Sequence, residues 1–449
     1  MKKRYSLLII LACQSVVSQT INIPDPSFKT MLLNPQYIAG DSSGSDYGLD
    51  IDTNNDGEIQ VSEAVLVTGL KMNTSVITST NDILSLEGIQ YFTNVKSISC
   101  MGNQLTSLDV SVLPSLEYLN CGHNLISSLN VSGLNHLELL WCDSNLLTTL
   151  NISGLPALKT VFCHDNYLTS LNLNELPVFI ALVCSNNDLA ELHLNNITTL
   201  RELFADGNML TSMDLSGLSN LNYVVLDSNQ FASIDISPLS SLTTLSLSNN
   251  PISELDMSGN PELRSLFIDN TLFTTIDCSA TAIGQISCGN NPGLTSINVK
   301  NGVFSQSEFD MLYFAFMFEN LPALTSICVD NGEQWNLNGT NYNSGGNAVV
   351  YTGENCDIVA QPMGVNEEKL AVFIVYPNPF TNELSFTSDI EISAIEILDL
   401  NGRIVSLPPF SINNNSARMV LEDNLQKGIY MLKASTMDGR EIIQKIIKE

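Results

Sequence analysis

One asparagine returns at a constant interval through the middle of the chain: Asn103, Asn124, Asn145, Asn166, Asn187, Asn208, Asn229 and Asn250 each stand at the twenty-first position after the last. Around each of them the same frame recurs, as in Leu116-x-x-Leu119-x-Cys121-x-x-Asn124-x-Ile126-x-x-Leu129-x-Val131-Ser132-x-Leu134. A period of roughly 20 to 50 residues marks a stacked solenoid, in which no unit buries its apolar side alone and the end units need caps. Alternating apolar residues such as Leu119 and Cys121 have period two, so each unit holds a short strand with one buried face, and stacking makes a parallel sheet. An Asn amide both donates and accepts, so a column of them suits the backbone of the buried turn that must close each coil. Leu108-Asp109-Val110, Leu129-Asn130-Val131 and Leu255-Asp256-Met257 offer a second apolar segment on the convex side, where so short a coil leaves no room for a full helix. The phase slips at Thr271, in the ladder position, and at Asn291, one position short of the next full interval, so irregular coils are expected there.

The frame LxxLxLxxN resembles a leucine-rich repeat. The resemblance implies a mainly β fold: a solenoid over 83–330 with a parallel sheet, short convex segments and small capping helices. Because strand side chains alternate, the outward residues of the concave face lie two, four and six positions before each Asn. The middle column then reads Ser99, Asn120, Trp141, Phe162, Val183, Phe204, Val225 and Ser246, with Asp143, His164, Ser185, Asp206 and Asp227 beside it. At ~4.8 Å per strand the apolar part of that column runs about 20 Å. An apolar stripe rimmed by acids is the kind of surface that takes a partner with cationic groups, or a sugar stacked on Trp141 and Phe162. The alternative is that these side chains only stabilise the sheet by cross-strand packing, worth up to ~1 kcal/mol per pair.

The net charge of −29 argues against nucleic acid or an anionic membrane as direct partner, since both would be repelled. Lys2, Lys3 and Arg4 precede the apolar run Leu7 to Ala12, and Val16-Val17-Ser18 supplies small residues, the pattern of a secretory signal over 1–18. No other segment reaches the ~20 apolar residues that span a bilayer. Removing Cys13 with the signal leaves nine cysteines. Five of them, Cys100, Cys121, Cys142, Cys163 and Cys184, share one inward strand position, which is packing and not metal spacing. They are expected to stay reduced, whereas Cys328 and Cys356 bracket an Asn/Gly-rich stretch and are expected to form a disulfide.

The N-terminal cap, 19–82, should open with a short helix begun by Asp25-Pro26, with Phe28, Met31 and Leu32 on one face. Within it, 52–63 matches the twelve-residue calcium loop of EF-hands. Asp52, Asn54 and Asp56 would supply oxygens, Glu58 its backbone carbonyl, Gln60 a water or side-chain contact and Glu63 a bidentate carboxylate, with Gly57 at the sharp turn. One Ca2+ is the cofactor expected, the alternative being an acidic surface turn. At the far end Ser305-Gln-Ser-Glu308 reads as a capping box before an apolar run, predicting a capping helix over about 305–320. An Asn/Gly-rich loop and linker, 331–369, follows.

Beyond it the pattern changes to short strands with turns, which predicts a β-sandwich (Ig-like) domain over 370–449. Its phrases Tyr376-Pro377-Asn378-Pro379-Phe380, Ile397-Leu398-Asp399-Leu400-Asn401-Gly402-Arg403 and Leu425-x-Lys427-Gly428-Ile429-Tyr430 resemble the C-terminal sorting domain of the type IX secretion system of Bacteroidetes. That resemblance implies passage across the outer membrane on the type IX machinery, removal of the domain, and release or surface anchoring.

Three function classes are weighed: a binding or adhesion solenoid, a structural surface component, and an enzyme or its accessory module. The four histidines, His123, His136, His164 and His193, form no known catalytic pattern with their sequence neighbours, so no enzyme is expected. A chemically patterned concave face favours a binding protein at the cell surface, its ligand a protein or a glycan.

Overall fold

The computed structural model describes residues 19–40, 46–73, 82–194, 197–302, 316–330, 349–352, 373–376, 379–388, 392–399, 403–406, 412–413, 416–420, 425–436 and 441–448. The expected signal segment 1–18 lies outside them. The chain divides into two compact units, Met1–Gln361 and Pro362–Glu449.

In the first unit, Leu119, Leu140, Val161, Leu182, Leu203 and their equivalents point inward from three-residue strands and are fully buried. Each strand pairs in parallel with the next at the repeat interval, as Leu139–Trp141 does with Thr160–Phe162. Thirteen strands, from Ile38–Ala39 to Phe316–Met317, form one sheet, parallel except at its first pair. The strands Ile38–Ala39 and Gly69–Lys71 carry that sheet into the N-terminal cap, where the sequence had promised only a helix and a calcium loop. That helix is present as Pro26–Leu32, with Asp25 as its cap. The second oxygen of Asp25 accepts the N–H groups of Leu84 and Ser85, which ties the cap to the first coil.

The Asn column works as its chemistry requires. Asn124 Oδ1 accepts from Leu105 N at 3.0 Å, while Nδ2 donates to the carbonyls of Cys100 at 3.1 Å and Cys121 at 3.0 Å. The residue before each ladder Asn takes a left-handed conformation, as His123, Ser144, Asp165, Asn186 and Gly207 all do, and so turns the chain out of the sheet. The slip after Asn250 does not disturb the strands: Ser265–Phe267 and Gln285–Ser287 remain in register. Thr271 Oγ1 lies 3.0 Å from Ile268 O, the carbonyl an Asn would engage, and 2.6 Å from Asn291 Oδ1, so the two oxygens share its single proton.

Two expectations at the far end are corrected. Residues 303–315 of the expected capping helix lie outside the described residues, but Phe316–Met317 is a strand paired with Ile286–Ser287, so the sheet continues where helix was expected. The expected loop 331–369 contains the strand Val349–Thr352, which pairs in parallel with Ser326–Val329. With Thr275–Asp277 and Ser296–Asn298 these make a second, convex sheet of four strands. Its cause is local: Ile276, Ile297 and Ile327 each bury a branched side chain at the same convex position, which favours strand pairing.

The second unit holds two four-stranded antiparallel sheets, and Phe380, Leu384, Phe386, Ile397, Met419, Leu432 and Ile446 fill its own core. The second sequence phrase begins at the end of the strand Ile392–Leu398, and the third runs into the start of Gly428–Thr436. The C-terminal strand Glu441–Lys448 returns to the end of the first phrase: Phe380 N donates to Ile447 O at 2.8 Å, and just beyond it Lys448 Nζ donates to Thr381 O at 2.7 Å and Asn382 Oδ1 at 2.9 Å.

Candidate functional site

The in-register strands bring the middle outward column together, with Trp141, Phe162, Val183, Phe204 and Val225 on consecutive rungs. All five are partly exposed. Trp141 and Phe162 stack with ring centroids 5.0 Å apart and planes 7° from parallel. The neighbouring column adds aromatics the sequence reading had not singled out: Tyr118 lies 5.0 Å from Trp141, and Tyr223 lies 5.2 Å from Phe204. Alternation six positions before the Asn was the signal that could have found both. Phe267 follows Ser246 in register, so the apolar column resumes beyond the serine that was expected to end it.

The acidic column is placed as expected but is less free than expected. Asp143 is buried, with Oδ2 at 3.5 Å from His123 Nε2 and 3.8 Å from His164 Nε2. A Cβ at Gly122 would lie 2.7 Å from Asp143 Oδ1, so a side chain there would displace that carboxylate. Asp206 accepts from Ser185 Oγ, and Asp227 Oδ1 accepts from Ser246 Oγ and Ser248 N. Burial, reinforced by Asp206 and Asp269, raises the Asp227 carboxyl above its usual range despite those hydrogen bonds. These carboxylates therefore brace strand ends first, and the aromatics are the freer groups. His164 is partly exposed, while its Nδ1 is enclosed without a hydrogen-bond partner.

The five ladder cysteines are fully buried free thiols. Burial pushes Cys100 and Cys163 up to about 12, so none is a thiolate nucleophile at neutral pH. Cys328 is disulfide-bonded. Its expected partner Cys356 lies outside the described residues.

The 52–63 loop folds on itself around Gly57, whose φ is +75°. Asp52 accepts the N–H groups of Asp56 and Gly57, and buried Glu63 accepts those of Thr53 and Gln60. The amide nitrogens of Asn54 and Gln60 both donate to the Asp56 carboxylate, which lies below its usual range chiefly through the Glu58 N–H. Among the described residues no three His, Cys, Asp or Glu side chains stand grouped as for a metal ion. The helix that begins in the last residues of the loop, Val61–Ala64, is a single turn.

A sheet of short parallel strands closed by an Asn column defines a leucine-rich-repeat solenoid, and residues 93–136 match the family described as leucine rich repeats (2 copies). Residues 374–449 match the secretion system C-terminal sorting domain. The chain is thus a leucine-rich-repeat protein with a type IX sorting domain, which addresses it to secretion and the outer cell surface. Among the described residues no helix is long and apolar enough to cross a membrane.

Among solved structures the chain is similar to the functional domain of InlJ from Listeria monocytogenes, which includes a cysteine ladder, at 19% identity over 96% of this chain and 99% of that one, with a TM-score of 0.46. It is similar also to YopM, a leucine-rich effector protein from Yersinia pestis, at 22% identity over 58% and 72% of the two chains, with a TM-score of 0.40. A comparison with curated protein sequences gives no match.

Proposed function

We propose that the exported protein is a non-catalytic binder that recognises a protein or glycan at the cell surface through the concave face of its solenoid. The observation that carries this reading is the run of five apolar and aromatic side chains, Trp141 to Val225, on consecutive rungs and partly open to solvent. Beyond cross-strand packing, a stacked Trp–Phe pair left partly exposed offers flat apolar area to a ligand. Rigid aromatics lose little conformational freedom on binding, which is why they dominate recognition surfaces.

The double substitution Trp141→Ser with Phe204→Ser is expected to abolish capture of the partner by immobilised full-length protein while leaving far-ultraviolet circular dichroism unchanged. Undiminished capture by a folded double variant would remove the concave column from consideration and favour a structural surface component.

We further propose that 52–63 binds one Ca2+ and braces the N-terminal cap. Support comes from Asp52, Asn54, Asp56, Gln60 and Glu63 at loop spacing, with Gly57 at the turn. Half-turn rotations of the Asn54 and Gln60 amides would replace their nitrogens by oxygens facing Asp56. A ligand that binds only the folded state raises its stability by mass action, so the melting temperature of the wild type should rise with calcium concentration and that of Glu63→Ala should not. Equal response of the two proteins, or none in either, would contradict the assignment.

A further inference from the structure

At the N-terminal end of the concave face lies a cavity of about 270 Å³ lined by Tyr47, Lys71, Asn73, Ser97, Ser99 and Tyr118. That volume falls just below the roughly 300–1,000 Å³ of ligand pockets and suits one ring and its substituents. The cap builds one wall: Tyr47 pairs with Ala39 at the edge of the sheet, and its ring lies 5.7 Å from Lys71 Nζ. The repeats build the other, ending at Tyr118, which contacts Trp141. The pocket is therefore the terminus of the aromatic column.

Four of its polar groups have no hydrogen-bond partner among the described residues. Asn73 is fixed through Oδ1, which accepts from Ser99 Oγ at 2.7 Å and Met101 N at 3.1 Å. Its Nδ2, the Ser97 hydroxyl, the Tyr118 hydroxyl and Lys71 Nζ carry no hydrogen bond to another described residue, and Lys71 has no ion pair among them. In the outward columns Lys71 is also the sole Lys or Arg among the described residues, within a chain of net charge −29.

We propose that this pocket takes a terminal sugar bearing one carboxylate, with the carboxylate on Lys71, the ring hydroxyls on Asn73, Ser97 and Tyr118, and the next ring of the chain against Tyr118 and Trp141. The lone cation selects a single anionic group. A polyanionic chain would be repelled by Asp143, Asp206 and Asp227 along the same face, and a neutral sugar would make no charge pair with Lys71. Hydroxyl-rich rings meet both needs of the site, donors at the wall and flat aromatic faces beside it. The inference rests on the concave-face reading and names the ligand class for its N-terminal end.

The test is titration of the full-length protein with methyl β-glucuronide and, as its neutral counterpart, methyl β-glucoside, followed by ligand-observed NMR, with the methyl glycoside of a sialic acid as a second acidic arm. The glucuronide or the sialoside should bind about threefold more tightly than the glucoside, the size of one ion pair to the exposed Lys71. Lys71→Met should erase that preference, and Tyr118→Ala should weaken all sugars, with melting temperatures unchanged in Lys71→Met. Equal binding of acidic and neutral sugars, or an unchanged preference in Lys71→Met, overturns the proposal. If no sugar binds while partner capture still depends on Trp141 and Phe204, the pocket fails and the concave-face reading stands. If neither sugar binding nor Trp141-dependent capture is found, both fail.

Discussion

Asn166→Ala is expected to destabilise the solenoid by about 2 kcal/mol, because it leaves the buried Leu147 N–H without its acceptor and takes one of two amide donors from each of Cys142 O and Cys163 O, which keep those of Asn145 and Asn187. Its Oδ1 accepts from Leu147 N at 3.0 Å, and Nδ2 donates to Cys142 O at 3.0 Å and Cys163 O at 3.1 Å. Alanine supplies none of these, and the ring of apolar side chains around the turn leaves water little access. The molecule contains its own comparison at Thr271, where a hydroxyl partly restores the bond to the carbonyl three residues before it, so Asn166→Thr should lose less than Asn166→Ala. Stability in a solenoid is a sum over coils and their interfaces, and the loss should show as an earlier opening of the middle coils in hydrogen exchange. Urea unfolding that places Asn166→Ala within ~1 kcal/mol of the wild type would contradict the role given to the column.

Deleting residues 370–449 should stop export at the outer membrane and hold the protein in the periplasm, with near-complete loss of the extracellular form. The deletion removes a unit with a core of its own, and no residue of the solenoid's hydrophobic cluster goes with it. The retained protein should therefore be folded, which circular dichroism of the periplasmic fraction would show. A truncated chain found at the surface or in the medium in wild-type amounts would mean that the tail is not its address.

The repeat made most of the fold legible. A constant period fixes strand spacing, the inward and outward columns and the register together, because a solenoid repeats its contacts at the repeat interval. For the same reason Trp141, Phe162, Val183, Phe204 and Val225 could be placed on one face before any coordinates. What the period did not report is what happens where it lapses. The strands Ile38–Ala39 and Gly69–Lys71 are two and three residues long and lie in cap sequence with no repeat frame, so only the sheet edge they complete reveals them. Lys71 and Tyr47 are well separated along the chain and meet only through that edge, which hid the pocket. Phe316–Met317 sits in an aromatic run whose spacing also suits a helix, and pairing with the preceding coil decided the matter. The acids misled in a different way: sequence shows a column of Asp, but not that Ser185, Ser246 and Ser248 sit close enough to engage them.

The claim at the centre of this account is that partners bind the concave face, and site-specific photo-crosslinking measures that most directly. A photoreactive amino acid placed at Phe162, on the concave column, is compared with one at Ser216, exposed on the convex side, in full-length protein incubated with cell-surface extract. A discrete crosslinked species is expected from position 162, competed by excess unlabelled protein, and none from position 216. Crosslinking from 216 with none from 162 would place the partner on the opposite face and contradict it.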